Sequence, residues 1–205
     1  MPSISKEQVL AETRPQSLLR WSRYALWSLG VLALGYVGLA ALDARIYQAN
    51  AELFLNSQIR AQRKHPGRFS QAQSVQEAGV LGRIVIPRLG MSIAILEGTK
   101  PRVLRLGVGH IEGTVLPGEL GNSGIAGHRD TFFRDLQDIQ ADDEIQVQTL
   151  AGLYRYNVDW VKVVAPDDVG VLAPSGESTL TLVTCYPFYL VGAAPKRFVV
   201  HALKR

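Results

Sequence analysis

Three side chains at the ends of apolar segments could together carry out nucleophilic chemistry. Cys185, the only cysteine of the chain, ends a segment rich in Thr, Val and Leu, whereas His128 ends a short apolar run and Arg197 begins the last one. A cysteine nucleophile needs a base or counter-ion that raises its thiolate fraction, and a cation where negative charge gathers in the transition state. The sequence therefore offers one group for each task of a thiol-based acyl transfer.

Each member of this trio also has a purely structural interpretation. A lone cysteine is more often a buried core residue than a nucleophile. His128, which stands between Gly127 and Arg129, could be a surface turn residue, and Arg197, beside Lys196, could be the solvated start of a strand. Sequence separation does not bring His128 next to the cysteine, so the chemical hypothesis depends on the elements that position these residues.

The elements that hold the trio are predicted to be strands of a mainly β domain. Residues 179–185 alternate Thr with Leu or Val, which is typical of a half-buried strand, and residues 196–203 form a closing strand. If these two strands pair antiparallel, Cys185 and Arg197 become neighbours at one sheet edge. So many short strands favour a closed or nearly closed barrel, which leaves no exposed edge. Further strands are predicted at 83–86, 92–95, 123–127, 144–148 and 153–160, and short helices at 101–106 and 131–139.

The N-terminal part predicts a membrane anchor. Residues 24–42 form an uncharged run of 19 residues, about the length that crosses a bilayer as a helix, with Trp21 and Trp27 near one end. A cleaved secretory signal is the alternative, because small residues such as Ala40 and Ala44 could be cut. The apolar core of such signals spans only about 7 to 15 residues, so an uncleaved anchor is favoured.

Four regions follow from these patterns. We expect a cytoplasmic tail at 1–23, a transmembrane anchor at 24–42, a helical stalk and flexible linker at 43–80, and the β-rich domain at 81–205. Three arginines precede the apolar run and two follow it within about 20 residues, which favours an N-terminus inside the cell. The chain is therefore expected to be a single-pass protein of the cell membrane whose β-rich domain lies outside the cytoplasm.

Composition argues against several other classes of function. A net charge of +4 gives no indication of nucleic-acid binding, and a single cysteine excludes an internal disulfide and a Cys-x-x-Cys pair. The four histidines show no metal-ligand spacing, and His110 lies in a turn-rich region apart from the trio. The acidic residues 142–144 are interpreted as a solvated turn, so neither a metal nor a cofactor is predicted.

The residues around the trio resemble a known family. Residues 181–185, Thr-Leu-Val-Thr-Cys, look like the sortase signature Thr-Leu-x-Thr-Cys, and residues 126–130, Ala-Gly-His-Arg-Asp, resemble the segment that holds the sortase histidine. Arg197, at the start of the last strand, matches the family arginine. The resemblance covers about residues 81–205, and residues 109–131 are similar to class D-like sortases.

The resemblance implies an eight-stranded sortase-type β-barrel and a transpeptidation at a Leu-Pro-x-Thr-Gly-like sorting signal. Cys185 would attack the carbonyl after the signal's Thr and form a thioacyl intermediate. His128 would protonate the leaving amine and later deprotonate the incoming one. Arg197 would position the peptide or stabilise the oxyanion. The residues that match positions lining the peptide groove are Ala126, Val183 and Thr184.

The implied partners are secreted proteins with such a signal and an amine acceptor, either a peptidoglycan precursor or a pilin lysine. Two other functions stay open from the residues alone. One is a membrane-tethered cysteine peptidase or hydrolase that uses water as the acceptor. The other is a non-enzymatic binding module, a β-barrel with a buried thiol.

Overall fold

The structure, a computed structural model, describes residues 14–64, 79–190 and 192–205. The chain divides into two compact units, which meet between Asp43 and Ala44. A long helix, α1 (Arg14–Lys64), contributes to both units. Its stretch Leu19–Ala61 is long and apolar enough to cross a membrane by length and composition, which is consistent with the predicted anchor.

The second unit contains a closed barrel of eight strands in the order β1-β2-β3-β4-β7-β8-β6-β5. The predicted mainly β, eight-stranded barrel is therefore confirmed. Closure gives every strand a paired neighbour on both sides. The strands are β1 (Val80–Ile86), β2 (Met91–Glu97), β3 (Val108–His110), β4 (Gly121–Ala126), β5 (Glu144–Thr149), β6 (Leu153–Val164), β7 (Ser178–Tyr186) and β8 (Lys196–Lys204).

Two pairs of neighbouring strands in the barrel are parallel, and one of these pairs leads to the predicted site. Strands β2 and β3 are parallel and are joined by a short crossover helix, α2 (Pro101–Leu106). Strands β4 and β7 are also parallel, so their C-terminal ends lie at the same edge. Strand β8 runs antiparallel to β7 and therefore starts at that edge. Three chain segments thus meet at one end of the barrel.

The core fills the barrel with alternate residues of each strand. On β7, Leu180 and Leu182 are fully buried, and Val200 of β8 lies beside Leu182 in the paired register. Burying one such side chain contributes roughly 1.5–3 kcal/mol. The alternation that predicted these strands from the sequence therefore corresponds to one face in the core and one face outside it.

The segment after His128 differs from its prediction. An amphipathic α-helix is expected at 131–139, but the structure has turns and a short 3₁₀ helix, Arg134–Asp138. Phe133, Leu136 and Ile139 are buried with a spacing of three residues. That spacing matches the 3.0 residues per turn of a 3₁₀ helix, so it places all three apolar side chains on one side.

Strand β3 is an element that the pattern did not indicate. It has only three residues, of which Gly109 contributes no side chain to an alternation. A Cβ at Gly109 would lie 2.1 Å from the carbonyl oxygen of Gly98. Glycine is therefore required here by the close approach of two backbone segments.

The second half of α1 belongs to the same unit as the barrel and packs against it. Ala51 is buried in a small cluster with residues of β1 and β2, and Leu55, one turn further along the helix, is also buried. Glu52 pairs with Arg83 of β1 at 2.5 Å. The sequence predicts a helical stalk and flexible linker at residues 43–80. The described part of that region is helical as far as Lys64, and residues 65–78 lie outside the described residues.

Gln48 attaches this helix to the backbone of the barrel. The backbone N–H of Ala94 donates to the Gln48 amide oxygen at 2.8 Å, and the amide nitrogen donates to the carbonyl of Leu106. The backbone pairing of β2 with β3 begins one residue later, at Ile95 with Val108. The side chain of Gln48 therefore satisfies two backbone groups that the ladder leaves unpaired.

Candidate active site

Cys185 and Arg197 are brought together by strand register. They are direct partners in the antiparallel pairing of β7 with β8, and both side chains are half-buried. Directly opposite residues of an antiparallel pair point to the same face, with Cβ atoms about 4.5–5.5 Å apart. The strand pairing therefore makes Cys185 and Arg197 neighbours at one end of the sheet, as predicted.

His128 follows the end of strand β4, which pairs in parallel with β7. Ala126 is the partner of Val183, and one residue further the N–H of Gly127 donates to the Val183 carbonyl at 3.1 Å. If this register is extended by two residues, it brings His128 level with Cys185. Its side chain is exposed, so it is open to a reactant arriving from solvent.

The backbone around His128 is held on both sides. The N–H of Phe133 donates to the His128 carbonyl at 3.0 Å. Phe133 is fully buried, and a Cβ at Gly127 would lie 2.6 Å from its ring. Glycine at position 127 therefore lets a core aromatic pack directly beneath the histidine segment and fix its path.

Thr184 has a different position from the one expected of a groove residue. It alternates with Cys185 on β7, is 3% exposed, and its hydroxyl donates to the Gly127 carbonyl at 2.7 Å. The hydroxyl thus ties the strand that carries the cysteine to the segment that carries the histidine. The signature singled out Thr184, but nothing in the sequence indicates that its hydroxyl links β7 to the histidine segment.

A strip of small residues leads along the outer face to the trio. Ala126 and Val183, both half-buried, form its floor next to His128 and Cys185. Further along, the side chains of Leu172 and Thr114 cover Gly124, because a Cβ at that glycine would lie 2.9 Å and 3.2 Å from them. The small, half-buried side chains of Ala126 and Val183 are therefore the accessible part of this face next to the trio.

The guanidinium of Arg197 contacts the chain that leads into β8. Its Nη1 donates to the carbonyls of Ala194 at 3.3 Å and Lys196 at 3.0 Å. These bonds orient the side chain toward the loop between β7 and β8. A cation held in this way is suited to stabilise a developing oxyanion or to hold a peptide carbonyl.

Two histidines lie apart from the trio. His110 is buried, with Nδ1 3.2 Å from Glu97 Oε1 and Nε2 3.0 Å from the Val115 carbonyl. His201 stacks on Trp160 with ring centroids 4.8 Å apart. Burial lowers the pKa of His201, and the neighbouring Asp159 partly opposes that shift. Both histidines have structural surroundings, and neither is on the strip that leads to Cys185.

The acidic segment is not wholly a solvated turn, and that interpretation is wrong for Asp143. Asp142 is exposed, whereas Asp143 is buried and accepts hydrogen bonds from the Arg88 guanidinium, one of them at 2.6 Å, and from the N–H of Gln140 at 2.8 Å. The hydrogen bond from Arg88 lowers the pKa of Asp143. Among the described residues, no group of three or more His, Cys, Asp and Glu could hold a metal ion.

Sequence comparison gives one family. The family model of the sortase domain matches residues 84–205, more than half of the chain. Sortase D of Bacillus subtilis (strain 168) is 36% identical over 121 residues, which cover 58% of this chain and 61% of that protein. Sortase A of Bacillus anthracis is 29% identical over 131 residues, 62% of this chain and 60% of that protein. The match spans about three fifths of the length of these relatives.

Solved structures agree with the sequence comparison. A Clostridium perfringens sortase D5 transpeptidase superposes with a TM-score of 0.65 at 28% identity, covering 78% of this chain and 98% of that one. Sortase C-1 from Actinomyces oris gives a TM-score of 0.60 at 27% identity, covering 74% of this chain and 98% of that one. The barrel, the strand-end trio and these similarities lead to one conclusion: the chain belongs to the sortase family, with class D members among its relatives.

Proposed function

We propose that this protein is a membrane-anchored sortase that cleaves an LPxTG-like sorting signal and transfers the cleaved protein to an amine acceptor. The observation that carries the proposal is the strand pairing, in which Cys185 is the direct partner of Arg197 and the β4–β7 register ends two residues before His128 and Cys185. Family membership supports the same chemistry. A nucleophile, an acid/base group and a cation thus share one end of the barrel.

The first half of the reaction forms a thioester. The Cys185 thiolate attacks the carbonyl carbon after the signal's Thr, and Arg197 stabilises the negative charge that develops on the carbonyl oxygen. The C–N bond then breaks, and His128 gives its proton to the departing amine. The N-terminal part of the client remains bound to Cys185 as a thioacyl enzyme.

The second half returns the enzyme to its starting state. The acceptor amine attacks the thioester carbon, loses a proton to His128, and the C–S bond breaks to release the thiolate of Cys185. The proton that His128 gave in the first half is thereby replaced. A peptidoglycan precursor or a pilin lysine would supply the amine, since both carry a primary amino group.

The outer face of β4 and β7 beside the trio is the proposed binding site for the sorting signal. Ala126 and Val183 leave room for an extended peptide whose scissile bond reaches Cys185, and Thr184 keeps the two sides of the site together. The exposed apolar stretch of α1 is consistent with an anchor. With the N-terminus inside, the domain would meet its clients as they leave the membrane.

A product analysis tests this function. The full chain in detergent is incubated with a labelled Leu-Pro-x-Thr-Gly peptide, single-residue variants of that peptide, and an excess of a primary amine. The proposal expects cleavage after Thr and an amide adduct in the mass spectrum, and it expects neither with Cys185→Ala. Purely hydrolysed peptide in excess amine would identify a cysteine peptidase instead, and no cleavage of any peptide would contradict the proposal.

A further inference from the structure

We propose that Arg129 is a positioning residue that fixes the loop between β7 and β8 in the shape that receives the sorting peptide. The inference rests on the proposed transpeptidase function and deepens it. The loop, residues 187–195, joins the strand of Cys185 to the strand of Arg197. Its conformation therefore shapes the space beside both groups.

The guanidinium of Arg129 binds three backbone carbonyls of this loop. Its Nη1 donates to the Pro187 carbonyl at 2.9 Å, and its Nη2 donates to the carbonyls of Leu190 and Gly192, each at 2.7 Å. Hydrogen bonds from a charged donor are shorter and stronger than neutral ones. Because three carbonyls of the loop bind one guanidinium, Arg129 holds these parts of the loop in a fixed arrangement.

The position of Arg129 in the chain links this loop to the histidine. It follows His128 directly, and the backbone of that segment is anchored through Gly127 to β7 and through the His128 carbonyl to Phe133. At the far end, Arg197 donates to the carbonyls of Ala194 and Lys196. Two arginines therefore hold the loop from opposite ends, and one of them is attached to the histidine segment.

The shape of the guanidinium is what the contact requires. Its two terminal nitrogens point in fixed directions within one plane, so one reaches the carbonyl of Pro187 and the other reaches the carbonyls of Leu190 and Gly192. The single ammonium of lysine is a compact charge that cannot serve both sides in this geometry. Lysine at position 129 would keep the charge but lose the fixed arrangement of donors.

The expected effect falls on peptide binding more than on the chemical step. Cys185 and Arg197 are partners in the ladder of β7 with β8, and the backbone at His128 is held through Gly127 and Phe133. These contacts do not involve the side chain of Arg129. A loop without the arginine contacts adopts the binding conformation only part of the time. The apparent affinity of the enzyme for the peptide then falls in proportion to the fraction of molecules in that conformation. We expect KM for the sorting peptide to rise about tenfold, with kcat changed less than about threefold.

The test uses the full chain in detergent with Arg129→Lys, Arg129→Ala and the control Arg134→Ala. Arg134 is exposed on the same segment, so its removal changes the charge without the loop contacts. Hydrogen exchange is measured by mass spectrometry, and KM and kcat are measured with the sorting peptide and amine. The proposal expects faster exchange confined to the loop and the raised KM in both Arg129 variants, and neither change in the control.

Each other outcome overturns a defined part of the account. Unchanged loop exchange in the Arg129 variants overturns the inference, and so does faster exchange with an unchanged KM. Faster exchange throughout the barrel, or recovery of full activity with Arg129→Lys, would assign the arginine a general structural or purely charge-based role. Absence of transfer by the unmodified chain would count against the proposed function, while loop exchange still decides whether Arg129 fixes the loop.

Discussion

At the scale of single residues, the candidate site depends on groups that do no chemistry themselves. Thr184 ties the cysteine strand to Gly127, Phe133 supports the histidine segment from the core, and Arg129 folds the loop above. Cys185 and His128 are borne by separate segments, so the contacts of Thr184 and Phe133 decide whether the two side chains meet, whereas Arg129 acts on the loop. The positioning groups should therefore be sensitive to changes that leave the trio intact.

Replacing Thr184 by Val tests this view with little change of side-chain shape. The hydroxyl that donates to the Gly127 carbonyl is lost, and a buried carbonyl loses its side-chain partner. We expect a loss of roughly 1–3 kcal/mol in the free energy of unfolding and a clear decrease in kcat/KM for peptide transfer. Thr184→Ser keeps the hydroxyl and should retain most of the activity, whereas equal activity of the Val variant would show that this bond is dispensable.

Asp143 gives a prediction about stability and pH. The hydrogen bond from Arg88 lowers the pKa of Asp143 in the folded chain. The ionised carboxylate therefore adds to the free energy of unfolding above the unfolded-state pKa of about 3.9, and this stabilisation is lost as the pH falls through the lower folded-state pKa. Asp143→Asn should therefore destabilise the protein at neutral pH and flatten the fall in stability below about pH 4. Urea unfolding at several pH values measures both effects. If the free energy of unfolding of the unmodified chain and of Asp143→Asn had the same pH dependence, the stabilising role of the Asp143 carboxylate would be contradicted.

At the scale of elements, the sequence predicts best where alternation is strict. The segment ending at Cys185 and the segment beginning at Arg197 both alternate, and their antiparallel pairing is found as expected. Strand β3 is too short to show a pattern. The expected place of His128 beside Cys185 depends on the parallel pairing of β4 with β7, whose partners Ala126 and Val183 are 57 residues apart in the chain, and local periodicity carries no information about that pairing. Burial of Asp143 depends on an arginine far along the chain, which a local reading of an acidic run cannot reveal.

The docked half of α1 gives a prediction at this scale. Leu55 is 2% exposed against the barrel, whereas Leu53, two residues earlier on the same helix, is 69% exposed. Leu55→Ala should lower the free energy of unfolding of the second unit by about 2–5 kcal/mol, because it leaves a cavity. Leu53→Ala is the matched control and should have little effect. Equal effects in urea unfolding experiments would show that the helix does not pack on the barrel.

At the scale of the whole molecule, a closed barrel is joined to an exposed apolar helix. The barrel brings distant segments to one end, and the helix is suited to a membrane. The stalk region contacts β1 and β2, so the second unit begins before the barrel strands do. If the proposed topology is correct, the chemistry takes place on the outer side of the cell membrane.

Labelling of Cys185 tests that location, because the chain has no other cysteine. A membrane-impermeant maleimide added to intact cells that express the full chain should modify the half-buried thiol without permeabilisation. The Cys185→Ala variant controls for other reactive groups. Modification that requires permeabilised cells would place the domain on the inner side and contradict the proposed orientation.

The most direct measurement of the central claim is the mass of the intact protein during turnover. The full chain is mixed with a sorting peptide in the absence of an amine acceptor, quenched in acid and analysed by mass spectrometry. We expect an added mass equal to the acyl part of the peptide, located on Cys185 by fragmentation and removed when an amine is supplied. A cleaved peptide with no such adduct on the protein, or an adduct that persists in Cys185→Ala, would contradict the assignment of Cys185 as the nucleophile.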